Sequence, residues 1–264
     1  MQELLKVAIV ASLEAGKEIM KVYESGDFQT VVKSDNSPLT IADTKAHDVI
    51  FRHLKKTGIL TLSEEGRDIP YDERRKEDTI WIVDPIDGTK EFIKKNGEFT
   101  VNVALVKDHI PVLGVIYVPA QETLYYSLSG MGAFKVAVTD GLDASWGDIV
   151  ARSQKLPLRN ANSRFAVVGS KSHMNEETYS FIDSLEKEHG PIDFVSKGSS
   201  LKLCMVAEGV ADLYPRFAPT MEWDTAAGTA IILASGGTVI NYETGMPLLY
   251  NREELLNPWF IARR

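Results

Sequence analysis

Ile80-Trp81-Ile82-Val83-Asp84-Pro85-Ile86-Asp87-Gly88-Thr89 is the stretch from which the fold is read. Its first four residues form a short apolar run of the kind that makes a buried strand. The run ends in Asp-Pro, and a second Asp, a Gly and a Thr follow at once. Pro85 fixes φ and lacks the N–H that continues a ladder, so the strand is expected to stop there. Asp84 and Asp87 are then held on a rigid turn, with the Ile86 carbonyl free to point between them. Gly88 and Thr89 are placed to open a helix whose first N–H groups attract phosphate oxygens. Hard oxygen ligands on a stiff turn with free amides suit Mg²⁺-assisted phosphoryl chemistry. Asp, Gly and Pro are equally ordinary turn residues, and the motif alone leaves both readings open.

Outward from this stretch, residues 58–62 read as a second short buried strand, ending in Ser63-Glu64-Glu65-Gly66. The strongly charged segment 67–79 between the two is expected to be an exposed, mobile loop. Upstream, the apolar spacing predicts an amphipathic helix over residues 3–24, stopped by Gly26, and an extended segment over 28–33. After the polar turn Lys33-Ser34-Asp35-Asn36-Ser37-Pro38-Leu39, Thr40 is an N-cap for a helix to about residue 56. Asp43 falls at its third position, as in a capping box. Downstream, 99–106, 111–117 and 122–128 alternate as an antiparallel meander. The segment 140–160 reads as an irregular connection. Beyond it the pattern becomes strand 165–169, helix 175–188, strand 192–196, helix 200–209, strand 211–214, helix 224–235 and strand 237–241. The expected class is α+β in layers, with halves 1–140 and 141–264 forming one compact unit.

The chain has 264 residues, of which 44% are hydrophobic and 25% charged, enough for a sizeable core under an ordinary surface. A net charge of −8 argues against nucleic acid as a partner. The single cysteine, Cys204, excludes an internal disulfide and, in the run Leu201 to Val206, reads as a core residue. The N-terminus lacks a basic region with a long apolar core, so neither a signal peptide nor a membrane span is expected. Cytoplasmic location is the expectation, with peripheral association at the inner membrane and the choice of monomer or homodimer left open.

Three stretches place carboxylates at the junction of one element with the next: Ser63-Glu64-Glu65, Asp84-Pro85-Ile86-Asp87-Gly88-Thr89 and Glu222-Trp223-Asp224-Thr225-Ala226-Ala227-Gly228. Together, and with twenty positions from Glu64 to Asp84, they resemble the signatures of the inositol monophosphatase superfamily of lithium-sensitive, magnesium-dependent phosphomonoesterases. The resemblance runs over nearly the whole chain and implies an αβαβα sandwich. Within the superfamily the chain is most similar to the 3′(2′),5′-bisphosphate nucleotidases, through Asp35 to Thr40, Gly88 to Ile93, Asn96 to Asn102, Gly198-Ser199-Ser200-Leu201-Lys202 and Tyr214-Pro215-Arg216-Phe217.

That resemblance implies two Mg²⁺ ions, or three. Glu64, Asp84 and the Ile86 carbonyl would hold one, and Asp84, Asp87 and Asp224 the second. Glu64 would also help to hold a third, weaker ion. Asp43 and Thr89 would orient and deprotonate the attacking water. Gly88, Thr89 and Asp224 would also meet the substrate, and His173, Ser199, Lys202 and Arg216 the part of it that is not cleaved. The expected reaction is hydrolysis of the 3′-phosphate of adenosine 3′,5′-bisphosphate, with 3′-phosphoadenylyl sulfate as a further substrate. An inositol or sugar phosphatase of the same superfamily is the alternative, and a non-catalytic nucleotide binder a more remote one.

Overall fold

The computed structural model describes residues 1–33, 37–139, 145–158, 164–170 and 174–264. Helix α1 (Gln2–Ser25) buries Leu5, Ala8, Ile9, Leu13 and Ile19 on one face and stops at Gly26. A small ribbon, β1 (Val31–Val32) with β2 (Pro38–Leu39), leads into α2 (Ile41–Leu54). Thr40 and Asp43 cap α2 reciprocally, as their spacing predicts. β3 (Thr61–Ser63) then starts three residues later than the sequence suggested.

The charged segment after β3 is mostly exposed, as expected, but it is not all loop. It contains a turn of helix, α3 (Tyr71–Arg74), and Arg74 is only 2% exposed. The Arg74 guanidinium donates to the carbonyls of Ile69, Arg252 and Glu253 and to Asn251 Oδ1, at 2.9–3.2 Å. A cation that satisfies that many backbone acceptors is buried because it is fully bonded.

β4 (Thr79–Asp87) also departs from expectation, since it passes through Pro85. The proline is accommodated because nothing asks for its N–H. β3 pairs with β4 only as far as Val83, and the pairing with the next strand slips between Asp84 and Asp87. After α4 (Thr89–Ile93), the meander β5 (Thr100–Lys107), β6 (Ile110–Val118) and β7 (Thr123–Leu128) appears as expected. It continues through β8 (Gly132–Ala137) and, beyond α5 (Trp146–Arg152), β9 (Gln154–Lys155), where the sequence suggested only a connection. These strands form one sheet in the order β3-β4-β5-β6-β7-β8-β9, with β3 and β4 parallel and the rest antiparallel.

A second sheet follows from β10 (Ala166–Gly169), α6 (Glu176–His189), β11 (Asp193–Ser196), α7 (Leu201–Glu208), β12 (Leu213–Arg216), α8 (Glu222–Ala234), β13 (Thr238–Asn241) and β14 (Phe260–Arg263). Its order is β11-β10-β12-β14-β13. The unanticipated β14 fills an inner position. α1 and α2 cover one face of the first sheet, where Trp81 and Val83 join their core. Ile80 and Ile82, at alternate positions, face the opposite core with α7, α8 and the second sheet. Phe181, Ile182 and Leu185 of α6 close the outer face of the second sheet. The result is the layered αβαβα sandwich. At its centre α8 lies directly on β6, where a Cβ on Gly114 would come within 2.3 Å of the Ala227 carbonyl oxygen. Among the described residues no helix is long and apolar enough to cross a membrane.

Candidate active site

Four carboxylates from three elements converge where the ends of β3 and β4 meet the first turn of α8. Glu64 leaves β3 with its N–H on the Val83 carbonyl, which keeps it beside β4. The Ile86 N–H donates to Asp84 Oδ1 at 3.0 Å, and the Met221 N–H to Asp224 Oδ2 at 2.8 Å. α8 begins two residues earlier than the sequence suggested, so Asp224 stands within the first turn. Asp84, Asp87 and Asp224 each offer an oxygen within 4.8 Å of the others, and Glu64 is in hydrogen-bonding reach of Asp84.

Such a cluster resists full ionisation. Burial, then the charges of Glu64, Asp87 and Asp224, push the Asp84 carboxyl well above its ordinary range. Burial and the Asp87 charge push Asp224 up to about 8. Burial likewise raises Glu64, although Lys33 donates to it at 2.8 Å and also bonds Glu65. Hard anionic oxygens crowded together and short of positive charge are a donor set suited to divalent, oxygen-seeking cations.

Beside the cluster, Asp43 is buried, with Oδ2 accepting from the Thr40 N–H at 2.7 Å and Oγ1 at 2.6 Å. Its other oxygen, Oδ1, lies 3.3 Å from Thr89 Oγ1. Capping and pairing with Thr89 are therefore done by different oxygens of one carboxylate. Burial raises Asp43 despite the Thr40 bonds. The Ile86 carbonyl is not free, since Thr89 Oγ1 also stands 3.3 Å from it. Gly88 holds φ at 91°, and a Cβ there would crowd the Glu98 carbonyl oxygen at 3.1 Å and Ser199 Cβ at 3.2 Å.

Glu64, Asp87, Gly88, Thr89, Ser199, Lys202, Arg216 and Asp224 line one cavity of about 290 Å³. Lys202 donates to the Ser199 carbonyl at 2.6 Å and sits over the Tyr214 ring, 5.6 Å from its centroid. Arg216 Nη2 donates to the Pro219 carbonyl at 2.9 Å, and its Nε is buried with no partner among the described residues. The Ser199 hydroxyl, expected to face substrate, donates instead to Asp87 Oδ2 at 2.8 Å. His173 lies outside the described residues.

This constellation can be compared with known proteins. The model of the inositol monophosphatase family matches residues 1–261. The chain belongs to that family. The 3′(2′),5′-bisphosphate nucleotidase CysQ of Salmonella typhimurium is 42% identical over 251 residues, which cover 93% of this chain and 94% of the relative. The crystal structure of CysQ from Bacteroides thetaiotaomicron, described as a bacterial member of the family, superposes with a TM-score of 0.92 at 51% identity, covering 100% of this chain and 97% of that one. The inositol monophosphate-bound structure of SaIMPase-II shares the fold alone, with a TM-score of 0.74 at 22% identity over 99% of this chain and 89% of that one.

Further residues stand around this candidate site that their local sequence did not single out. Lys33, on the β1 side of its ribbon, bonds the Glu64-Glu65 pair from 31 positions away. Ser200 sends a second hydroxyl to Asp87 Oδ2 at 2.7 Å. Glu98 holds Gly198 and Lys197 at 2.8 and 3.0 Å. Burial favours the neutral form of Glu98, yet the Lys197 and Gly198 bonds outweigh it and hold the carboxyl below its usual range. The alternation Glu98, Thr100, Asn102 was a signal available in the sequence, but its partners were not.

Proposed function

We propose that this chain is a Mg²⁺-dependent 3′(2′),5′-bisphosphate nucleotidase that converts adenosine 3′,5′-bisphosphate to AMP and phosphate, with 3′-phosphoadenylyl sulfate as a second substrate. The observation that carries this reading is one cavity lined by both signs of charge. Glu64, Asp87 and Asp224 line it together with Lys202 and Arg216. A substrate with a single phosphate needs only the carboxylates and the cations they would hold. Lys202 and Arg216 give the cavity two cations that a second phosphate could pair with, Arg216 in the planar fork geometry that arginine offers. The bisphosphate nucleotidases among the relatives support the same choice.

In this reading Glu64, Asp84 and the Ile86 carbonyl hold one Mg²⁺, and Asp84, Asp87 and Asp224 a second, with Glu64 contributing to a third. Bound there, the cations supply Lewis-acid stabilisation of phosphoryl oxygens and bring the pKa of water toward neutrality. Asp43 Oδ1 takes the proton of Thr89 Oγ1 as that hydroxyl takes one from the attacking water. Thr40 holds the second oxygen of Asp43, so the accepting one is fixed in place. Burial raises the proton affinity of Asp43, the direction that strengthens it as a base. Lys202 and Arg216 grip the 5′-phosphate and set which ester is presented for cleavage.

Phosphate release in Mg²⁺ from adenosine 3′,5′-bisphosphate, inositol 1-phosphate and fructose 1,6-bisphosphate tests the assignment. The nucleotide is expected to lead by at least a hundredfold in kcat/KM, about 2.7 kcal/mol. Arg216→Glu is expected to raise KM for the bisphosphate far more than for adenosine 3′-monophosphate. Preference for inositol or sugar, or equal effects of Arg216→Glu on both nucleotides, would remove the two cations from the substrate site.

A further inference from the structure

The segment 197–200 is fastened along its length to one face of one strand. Glu98, Thr100 and Asn102 stand at alternate positions leading into and along β5, so their side chains share a side. Glu98 takes the start of the segment through Lys197 and the Gly198 N–H. Thr100 Oγ1 lies 2.7 Å from Ser199 Oγ and 2.9 Å from Ser200 Oγ. The Asn102 side-chain amide lies 2.9 Å from Ser200 Oγ and 3.0 Å from Thr100 Oγ1. On the far side both serine hydroxyls reach one oxygen, Asp87 Oδ2. Ser199 does so from a left-handed backbone, φ 52°, that a non-glycine residue adopts only when its surroundings hold it there.

Proton counting decides how this network is ordered. Each hydroxyl has one proton to give. If Ser199 and Ser200 both donate to Asp87, Ser200 has none left for Asn102. With the amide oxygen facing Ser200 and Thr100, Asn102 Nδ2 is buried without a partner among the described residues. A half-turn of the amide brings Nδ2 to the two hydroxyl oxygens, and such a turn exchanges atoms of nearly equal size. Nδ2 then donates to Ser200 and Thr100, Thr100 donates to Ser199, and both serines donate to Asp87. Every hydroxyl proton now runs toward the carboxylate. The group left unpaired is a carbonyl oxygen, which burial tolerates better than an N–H.

We propose that Asn102 is a positioning residue for Asp87, acting through Thr100 and Ser200 to aim two hydroxyl protons at one oxygen of that carboxylate. This leaves the other oxygen of Asp87 outside the network and fixes the group's orientation before any cation arrives. The inference rests on the reading of Asp87 as a cation-holding group. Hydrogen-bond partners of a ligating carboxylate typically matter tenfold to a hundredfold in metal affinity.

Mn²⁺ binding without substrate, followed by the loss of the free-ion electron paramagnetic resonance signal, tests it. The variants are Asp87→Asn, Ser200→Ala, Asn102→Leu and the Ser200→Ala/Asn102→Leu pair, with Thr100→Val as a second interruption of the same chain. Asn102→Leu and Ser200→Ala are each expected to weaken Mn²⁺ about tenfold. The pair is expected to fall short of the product of the two losses, because Ser200 carries one of the two branches through which Asn102 acts. At saturating Mg²⁺ the KM for the bisphosphate is expected to stay at the wild-type value in Asn102→Leu. If Asp87→Asn loses Mn²⁺ while Asn102→Leu and Thr100→Val bind it as wild type does, the positioning role is wrong and the metal reading stands. Multiplying losses in the pair would equally overturn the action of Asn102 through Ser200. Unchanged Mn²⁺ binding in Asp87→Asn would overturn the metal reading and the inference with it.

Discussion

Lys202 is where burial and charge oppose each other most directly. The residue is 7% exposed, and burial, helped by the Arg216 cation and resisted by Asp87, pulls the ammonium down to about 8. A lysine in this state is charged at neutral pH, as the proposed phosphate contact requires, and begins to lose that charge slightly above it. The sign follows from the direction of the shift. Below about pH 8 the free enzyme has Lys202 protonated, and above it the contribution to phosphate binding fades. The second ionisation of a phosphate ester, near pH 6, is complete by then. The ratio of kcat/KM for adenosine 3′,5′-bisphosphate to that for adenosine 3′-monophosphate is therefore expected to fall as pH rises through about 8, since kcat/KM reports the free enzyme. Lys202→Met is expected to lower that ratio at pH 7 and flatten its dependence on pH. A flat ratio in the wild-type enzyme would separate Lys202 from the second phosphate.

The elements behind the site show how a charged residue supports it from a distance. Arg74 on α3 holds 251–253, and that segment turns its Asn251 and Arg252 N–H groups onto Glu222 at 2.6 and 3.1 Å. Burial pushes Glu222 up to about 7 even so, with the two N–H groups resisting. Glu222 opens α8, two residues before Asp224, so α3 braces the helix that carries the last carboxylate. Arg74→Met is expected to leave several buried acceptors unpaired and to cost about 3 kcal/mol in urea unfolding, at roughly 1–3 kcal/mol for each group left bare. A loss below about 0.5 kcal/mol, the scale of ordinary surface changes, would make Arg74 no different from the exposed residues around it. Arg74 departs from what the segment's composition suggested for a physical reason. Charge runs are usually solvated, and what buries Arg74 is a set of carbonyls about 180 positions away. The same distance problem hides Asn102 from Ser200. By contrast, the Thr40–Asp43 cap and the buried strand at 80–83 were legible because each is settled within a few residues. The passage of β4 through Pro85 was not, because it depends on where a neighbouring strand stops pairing.

Across the whole molecule, the layers were readable from periodicity and the sheet closures were not. β14 follows an irregular run and reaches its place by pairing on both sides, which no local pattern announces. The carboxylate cluster lies across this architecture rather than within one part of it. Asp84 belongs to the first sheet and Glu64 follows its strand β3, Asp224 belongs to the helix packed between the sheets, and Asp87 is held by Ser199 and Ser200 next to α7. Without cations these charges repel one another at a seam of the fold, so cation binding and global stability are linked. A ligand that binds only the folded state stabilises it by about 2.7 kcal/mol at a hundred times its Kd. For a chain of this size each kcal/mol moves Tm by about 2–4 °C. Saturating Mg²⁺ is therefore expected to raise Tm by roughly 5–10 °C over the protein in EDTA. Asp84→Asn is expected to unfold later than wild type in EDTA, because it removes the most crowded charge, and to lose most of the Mg²⁺ increment. The two effects have opposite signs in one variant, which a general loss of packing cannot produce. Differential scanning calorimetry with and without Mg²⁺ reads both, and a wild-type increment retained in Asp84→Asn would place the cations elsewhere.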